Sequence, residues 1–322
     1  MHNHAAVLEW AINCLAAKGY FLKDSPQVLL ETPWSTLIRC STTKGDVYLK
    51  QMPATISLEA QIIQLLREQF HASVPVVIAS NEKQHCFLME SGGQSLRQYL
   101  KTTFNPALLY ESIKQYTSVQ RSTEHHECSF FELDVPDWRL DKLPELYDHL
   151  MNQEDFLKEE SLTDNELDRL RQLSPQFLAQ CSSLAQYEIP STLVQYDFNT
   201  NNILIDPKTK KLSFIDLGEI VIAHPFFSLH TFFYQASIHH GVTEFDPLYN
   251  QLQDVCFENW LNFMAKDQLL AAFMLAKKLW PIYSALCTYR LMINVDIVAF
   301  KQHYAEQPYK LAAHLRGYLA AS

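Results

Sequence analysis

The chain has 322 residues, enough for two domains or two lobes around a cleft, and its 48% hydrophobic and 12% aromatic content excludes global disorder. Its formal net charge of −10, from 26 basic and 36 acidic side chains, comes without a basic patch or basic domain, so nucleic acid is not an expected partner. An acidic surface agrees with a cationic small substrate, and equally with an ordinary soluble protein.

In chain order, Ala5 to Lys18 places Val7, Leu8, Ile12 and Leu15 at helical spacing, with Gly19 as the stop. Val28 to Leu30, Thr36 to Cys40 and Asp46 to Lys50 read as strands, the last two joined by the turn Thr42-Thr43-Lys44-Gly45. Lys50 ends its strand; a lysine there is ordinarily solvated or guards an edge. Ser57 to Phe70 reads as a helix burying Leu58, Ile62, Ile63, Leu65 and Leu66, with Glu59 early enough to favour its N-terminus. Val74 to Ala79 and His85 to Glu90 add two strands. Residues 20 to 90 thus form a mainly antiparallel sheet of about five strands with one inserted helix.

Ser91-Gly92-Gly93 interrupts this pattern and is the boundary of choice, giving lobes at 1–90 and 95–322 with a hinge at 91–94. Beyond it Ser95 to Thr102, Pro106 to Arg121, Asp141 to Asn152 and Thr163 to Tyr187 read as helices. The exception is Leu193 to Glu219, LVQYDFNTNNILIDPKTKKLSFIDLGE. Two apolar runs, Asn202 to Asp206 and Lys211 to Ile215, flank a turn-forming polar cluster, which is a hairpin signal and the only clear β element in the larger half. Asp197 stands before the first run, Asn202 opens it, and Asp216 follows the second. An acid, an amide and a second acid around one hairpin suit a site that positions a hydroxyl and holds Mg²⁺ on phosphate oxygens.

Seven cysteines (Cys14, Cys40, Cys86, Cys128, Cys181, Cys256, Cys287) are scattered and never form CxxC, against a structural zinc site and for a reducing compartment. The N-terminus shows no secretory signal. Leu269 to Tyr289, the most apolar helix, is interrupted by Lys277, Lys278 and Pro281, so no membrane span is expected. The expectation is a soluble, cytoplasmic protein; its oligomeric state is not legible.

These residues together support a family. The chain resembles the aminoglycoside and choline phosphotransferases, small-molecule kinases with a protein-kinase-like fold, from about Gly19 to the C-terminal helices. The family pattern H-G-D-x-x-x-x-N-I-L, a hairpin, then I-D-x-G is met by Gln195-Tyr196-Asp197 through Asn202-Ile203-Leu204, then Ile215-Asp216-Leu217-Gly218. The resemblance implies an α+β, two-lobed fold, with a small antiparallel β lobe and a larger helical lobe bearing the catalytic hairpin. It implies an ATP- or GTP-dependent kinase acting on a small-molecule hydroxyl, with Asp197 as the base or orienting acid and Asn202 and Asp216 holding Mg²⁺. Lys50 would contact the α- and β-phosphates, held by Glu59. Met89-Glu90-Ser91 would receive the adenine edge on its backbone, with Trp34 and Ser35 at the turn over the phosphates. No G-x-G-x-x-G is present, which separates the chain from protein kinases.

Gln195 and Tyr196 replace the family's His-Gly, and a bulky Tyr196 is incompatible with a backbone that needs positive φ. Ser228, in His224-Pro225-Phe226-Phe227-Ser228-Leu229, replaces a second bracing acid. These departures keep open an alternative: a pseudokinase that binds nucleotide or a partner without turnover. The acceptor would lie against Tyr234 to Asp246 and Trp280 to Asp296, with Asp134, Asp137 and Trp138 near the cleft. His239-His240 with Glu244 and Asp246 fits no tetrahedral metal pattern. Trp280, Tyr283, Tyr289 and Arg290 read as core and rim rather than as a cage for a quaternary amine. The acceptor itself is not legible.

Overall fold

The computed structural model describes residues 4–322. Helix α1 (His4–Ala17) precedes strands β1 (Gln27–Glu31), β2 (Thr36–Thr42) and β3 (Gly45–Gln51), helix α2 (Glu59–Glu68), and strands β4 (Val77–Asn81) and β5 (Cys86–Glu90). The strands form one antiparallel five-stranded sheet in the order β1-β2-β3-β5-β4. Strand alternation decides what each face carries. Ile38 and Cys40 of β2, Val47 and Leu49 of β3, and Cys86 and Leu88 of β5 pack with Val7, Ala11 and Leu15 of α1. Their neighbours Phe87 and Met89 face the other way, into the core that includes Ile62, Ile63 and Leu66 of α2. Lys50, one residue after Leu49, therefore points to the α2 side.

Two expected boundaries move for local reasons. The helix expected from Ser57 starts at Glu59, following a short 3₁₀ turn at Ala54–Ile56. Strand β4 begins only after Pro75, which has no N–H to give to a ladder.

Past the sheet, β6 (Gln94–Ser95) leads into α3 (Leu96–Thr102), α4 (Pro106–Ser122), α5 (Glu127–Phe131), α6 (Leu143–Met151), α7 (Glu154–Glu159), α8 (Asp164–Gln172) and α9 (Ser174–Ala185). The single helix expected over Thr163 to Tyr187 is two, because Pro175 sits in the first turn of α9, where a missing N–H does no harm. After β7 (Thr192–Val194), β8 (Ile203–Ile205) and β9 (Leu212–Phe214) form the expected hairpin. β10 (Val221–Ala223) and helices α10 (Phe226–His240), α11 (Pro247–Glu258), α12 (Lys266–Asn294), α13 (Ile297–His303) and α14 (Lys310–Ala321) complete the chain.

The hairpin is not the only β structure in this half. β6 pairs with β8, and β7 pairs antiparallel with β10, Val194 opposite Val221. These segments of two or three residues are too short to show periodicity in sequence. They nevertheless hold the stretch between them: β7 feeds into Asp197 and β10 leads away from Asp216, so one small ladder clamps both ends of the segment that carries the two acids. The glycine pair serves the same crossing. Gly93 has φ +108°, and a Cβ there would lie 2.1 Å from the Ile205 carbonyl oxygen.

Helix α12 also departs from expectation. Pro281 and the two lysines do not break it, and by length and composition it could cross a membrane, with 56% of its apolar window buried inside the protein. Its inner residues, Phe273, Leu279, Ile282 and Tyr283 among them, belong to the helical core.

Candidate active site

Lys50 reaches across from β3 to two carboxylates. Its Nζ lies 2.5 Å from Glu59 Oε2 and 2.6 Å from Asp216 Oδ1. Lys50 is 8% exposed and Glu59 1%, so neither is the solvated surface residue it resembles in isolation. Burial opposes the charge on Lys50, but Asp216 and Glu59 outweigh it and hold the ammonium firmly protonated. Burial pushes the Glu59 carboxyl up, against Lys50 and the Leu217 amide, which donates to Glu59 Oε1 at 3.2 Å. One glutamate thus ties the small sheet to the Asp216-Leu217 backbone.

Asp216 itself has φ +61°, the left-handed region that an L side chain enters only under constraint. Gln195 supplies part of that constraint: its Nε2 donates to the carbonyls of Ile215 and Asp216, each at 2.9 Å.

Asp197 is held by two amides. Asn199 Nδ2 donates to Asp197 Oδ1 at 2.8 Å, and Asn202 Nδ2 donates to Oδ2 at 2.8 Å. Both amides also reach the Asp197 carbonyl at 2.9 Å. Asn199 is oriented in turn by Arg97 Nη2 and the Asn201 amide, each donating to its Oδ1 at 2.7 Å. Crowding by protein and then the neighbouring Asp216 push the Asp197 carboxyl up to about 6, while it remains open to the cavity beside it. With these bonds made, Asn202 Oδ1 and Asp216 Oδ2 have no partner among the described residues. Two hard oxygen donors at this point, one neutral and one anionic, fit Mg²⁺, which would keep waters in its other positions. Among the described residues no group of three or more His, Cys, Asp or Glu could hold a metal, so His239 and His240 form no such centre; His240 Nε2 instead meets Thr200 Oγ1 at 2.9 Å.

The departures from the family pattern are built into this framework. Tyr196 has no positive φ, so the expected conflict does not arise. Its hydroxyl lies 3.3 Å from His314 Nε2, and its ring meets Tyr283 edge-on at 6.3 Å. Ser228 Oγ and the Tyr116 hydroxyl lie 2.8 Å apart, and the Gln195 amide donates to both, at 3.0 and 2.9 Å. All three are buried. A Tyr–Ser pair braces the loop where an acid was expected.

The remaining nucleotide candidates are less concentrated. Met89 lies inside the sheet, opposite Tyr48 on one side and Val77 on the other. The amides of Glu90 and Ser91 donate to the carbonyls of Val76 and Asp46, so these two donors expected to meet adenine are already engaged. Ser35 is buried in a turn closed onto Thr32, whose amide donates to its carbonyl at 2.8 Å. Trp34 is not committed to a phosphate loop. Its ring stacks on Tyr304 at 5.6 Å and 15°, and meets His303 edge-on at 4.8 Å.

Trp34 there becomes one wall of a cavity of about 160 Å³ that also exposes Asp197 and Asp216. Gln235, Cys287 and Thr288 line it from the two regions expected to do so. Asp137 is not among its walls; it bonds Arg139 at 2.7 Å, while Trp138 is buried. Glu219, Tyr304 and Lys310 are walls that no spacing in the sequence signals. Burial, then Asp216, push the Glu219 carboxyl up to about 7.

The profile of the Phosphotransferase enzyme family matches residues 34–253. The chain belongs to that family. No curated protein sequence matches it. Among solved structures it is similar to a Plasmodium vivax ethanolamine kinase, at 14% identity and TM-score 0.57 over 92% of this chain and 81% of that one. It is similar to APH(2")-IIia in complex with GDP and kanamycin, at 14% identity and TM-score 0.60 over 97% and 99% of the two chains. It is also similar to APH(2")-IIa in a ternary complex with streptomycin and ATP, at 14% identity and TM-score 0.56 over 94% and 97%. This small-molecule phosphotransferase has the two-lobed, protein-kinase-like fold. The family match contains Lys50, Glu59, Asp197, Asn202 and Asp216 and ends before α12, α13 and α14. The residues gathered around Lys50 and Asp197 lie inside the shared region, and Cys287, Thr288, Leu291, Phe300, Tyr304 and Lys310 of the cavity wall lie outside it.

Proposed function

We propose that this protein transfers the γ-phosphoryl group of ATP or GTP to a hydroxyl of a small molecule, in a cleft between residues 1–90 and 95–322 that hinges at 91–94. The observation that carries the reading is Lys50 Nζ lying between Glu59 and Asp216, an acid 166 residues further along the chain, beside the Asp197–Asn202 pair. Lys50, fixed by Glu59, takes the α- and β-phosphates. Asn202 Oδ1 and Asp216 Oδ2 hold Mg²⁺, which when bound neutralises charge on the phosphate oxygens. The adenine edge meets the hinge after Met89 at the Ser91 carbonyl and the Gly92 amide, the Ser91 amide being engaged with Asp46, and Ser35 lies in the turn above the phosphates. Asp197 orients the acceptor hydroxyl and takes its proton as the oxygen–phosphorus bond forms. The bond from phosphorus to the β–γ bridging oxygen breaks, and the nucleoside diphosphate leaves. Protein supplies mainly alignment and charge.

A role without turnover has no support in Gln195, Tyr196 or Ser228, since Gln195 and Ser228 are bonded into the loop they were expected to weaken and the Tyr196 hydroxyl meets His314 of α14. The scattered, unpaired cysteines support a reducing, cytoplasmic setting. In a nucleotide-consumption assay over hydroxylated metabolites, amino alcohols and aminoglycosides, Asp197→Asn should lower turnover about 10²–10⁴-fold while nucleotide binding persists. Wild-type turnover in that variant would remove Asp197 from its role.

A further inference from the structure

Two charged side chains in the cavity beside Asp197 have no part in phosphoryl transfer. They are Glu219 and Lys310. Both are half-buried, and neither forms an ion pair or side-chain hydrogen bond among the described residues. Lys310 holds its ammonium 3.5 Å over the Tyr304 ring. A fold normally pairs charges that it removes from water, because an unpaired one carries a desolvation cost. Burial, opposed by Asp197, lowers Lys310 from its ordinary value, and burial and then Asp216 raise Glu219 against the opposite charge of Arg290, which makes no ion pair with it among the described residues. Here opposite charges share one small cavity without closing on each other. That arrangement leaves room for a molecule carrying both complements.

The size of the cavity narrows the class. At about 160 Å³ it lies well below the roughly 300–1,000 Å³ of pockets for drug-sized ligands. Trp34, stacked on Tyr304 and backed by Phe300, closes it from the side of the sheet, so a long acceptor cannot extend past that wall. Trp34 and Tyr196 add aromatic surface to the same cavity. Gln235 and Thr288 add neutral hydrogen-bonding groups.

We propose that the acceptor is a compact zwitterion, a hydroxylated amino acid, with its ammonium on Glu219, its carboxylate on Lys310 and its hydroxyl facing Asp197. The proposal rests on the phosphotransfer reading above and deepens it. The hydroxyl proton passes to Asp197, the acceptor oxygen bonds the γ-phosphorus, and the products are the phosphorylated amino acid and a nucleoside diphosphate.

The test is steady-state kinetics with Mg²⁺ and ATP or GTP on three matched acceptor sets. These are serine and homoserine; the amino alcohols ethanolamine and 3-aminopropanol; and the hydroxy acids 3-hydroxypropionate and 4-hydroxybutyrate. At least one amino acid should show a kcat/KM about tenfold or more above both truncated analogues, the worth of one charged hydrogen bond. Glu219→Gln should erase its advantage over the hydroxy acid, and Lys310→Met its advantage over the amino alcohol. Circular dichroism and melting of each variant show whether it is folded. Nucleotide binding by the wild type with no preference for amino acids, or with a preference that both variants retain, overturns the zwitterion. Failure of the wild type to bind any nucleotide overturns the phosphotransfer reading instead.

Discussion

Lys50 is buried with two acids, and removing it leaves Glu59 as a buried charge without its counter-ion. Lys50→Met should therefore cost about 3–5 kcal/mol in urea unfolding, and adding Glu59→Gln should return part of that loss. A fully stable single variant would mean that the ion pair does not hold the sheet to the Asp216 backbone. Glu219 shows the opposite economy, a carboxylate kept where it destabilises. Its carboxyl titrates near 7 in the folded protein, above the ordinary 4.5, so its contribution is favourable at low pH and is lost as pH rises through about 7. Glu219→Gln is neutral throughout and should melt about 2 °C above wild type at pH 8.5, with a smaller gain at pH 5.5. Equal differences at both values would show that Glu219 is not strained by its surroundings. Asp197, Asn202 and Asp216 could be singled out in the sequence because one hairpin sets their spacing, whereas Lys50 and Glu59 are brought to them by the fold. Lys310 could not: a lysine in the first turn of a late helix is ordinary, and only the tertiary fold brings it to Asp197. Asn199 and Arg97 were hidden likewise, since each acts through a side-chain bond that has no sequence period.

At the scale of elements, the catalytic loop is held by α4 and α10 through Tyr116 and Ser228, both accepting from the Gln195 amide. Each can cover for the other. Ser228→Ala or Tyr116→Phe alone should have small effects on stability, whereas the pair should leave a buried N–H without an acceptor and cost about 1–3 kcal/mol, more than the sum of the singles. Additive losses in urea melts would mean that the two contacts are independent. Strand β2 was legible because alternation repeats over seven residues, and β5 as a short apolar run. Strands β7 and β10 were not, with three residues each and both faces buried. The break between α8 and α9 was written in Pro175, but a proline in an apolar, helical run also fits a kink, as Pro281 in α12 shows.

For the molecule as a whole, a small sheet and a helical body meet along a core that runs from α2 through the hairpin to α14. The bridges across it are few and specific: Lys50 to Asp216, Glu59 to Leu217, Thr55 Oγ1 to the Asn294 carbonyl at 2.8 Å, and Trp34 on Tyr304. The two-lobed fold was visible from composition shifts and the glycine pair, while the acceptor cavity depended on helices far from the motif. The central claim is that this cleft binds a metal–nucleotide complex through Lys50, Asn202 and Asp216. Thermal unfolding with ATP or GTP, with and without Mg²⁺, tests it most directly. Stabilisation by about 2.7 kcal/mol at 100 times Kd, dependent on Mg²⁺, is the expected result. An unchanged melting temperature with every nucleotide would contradict it.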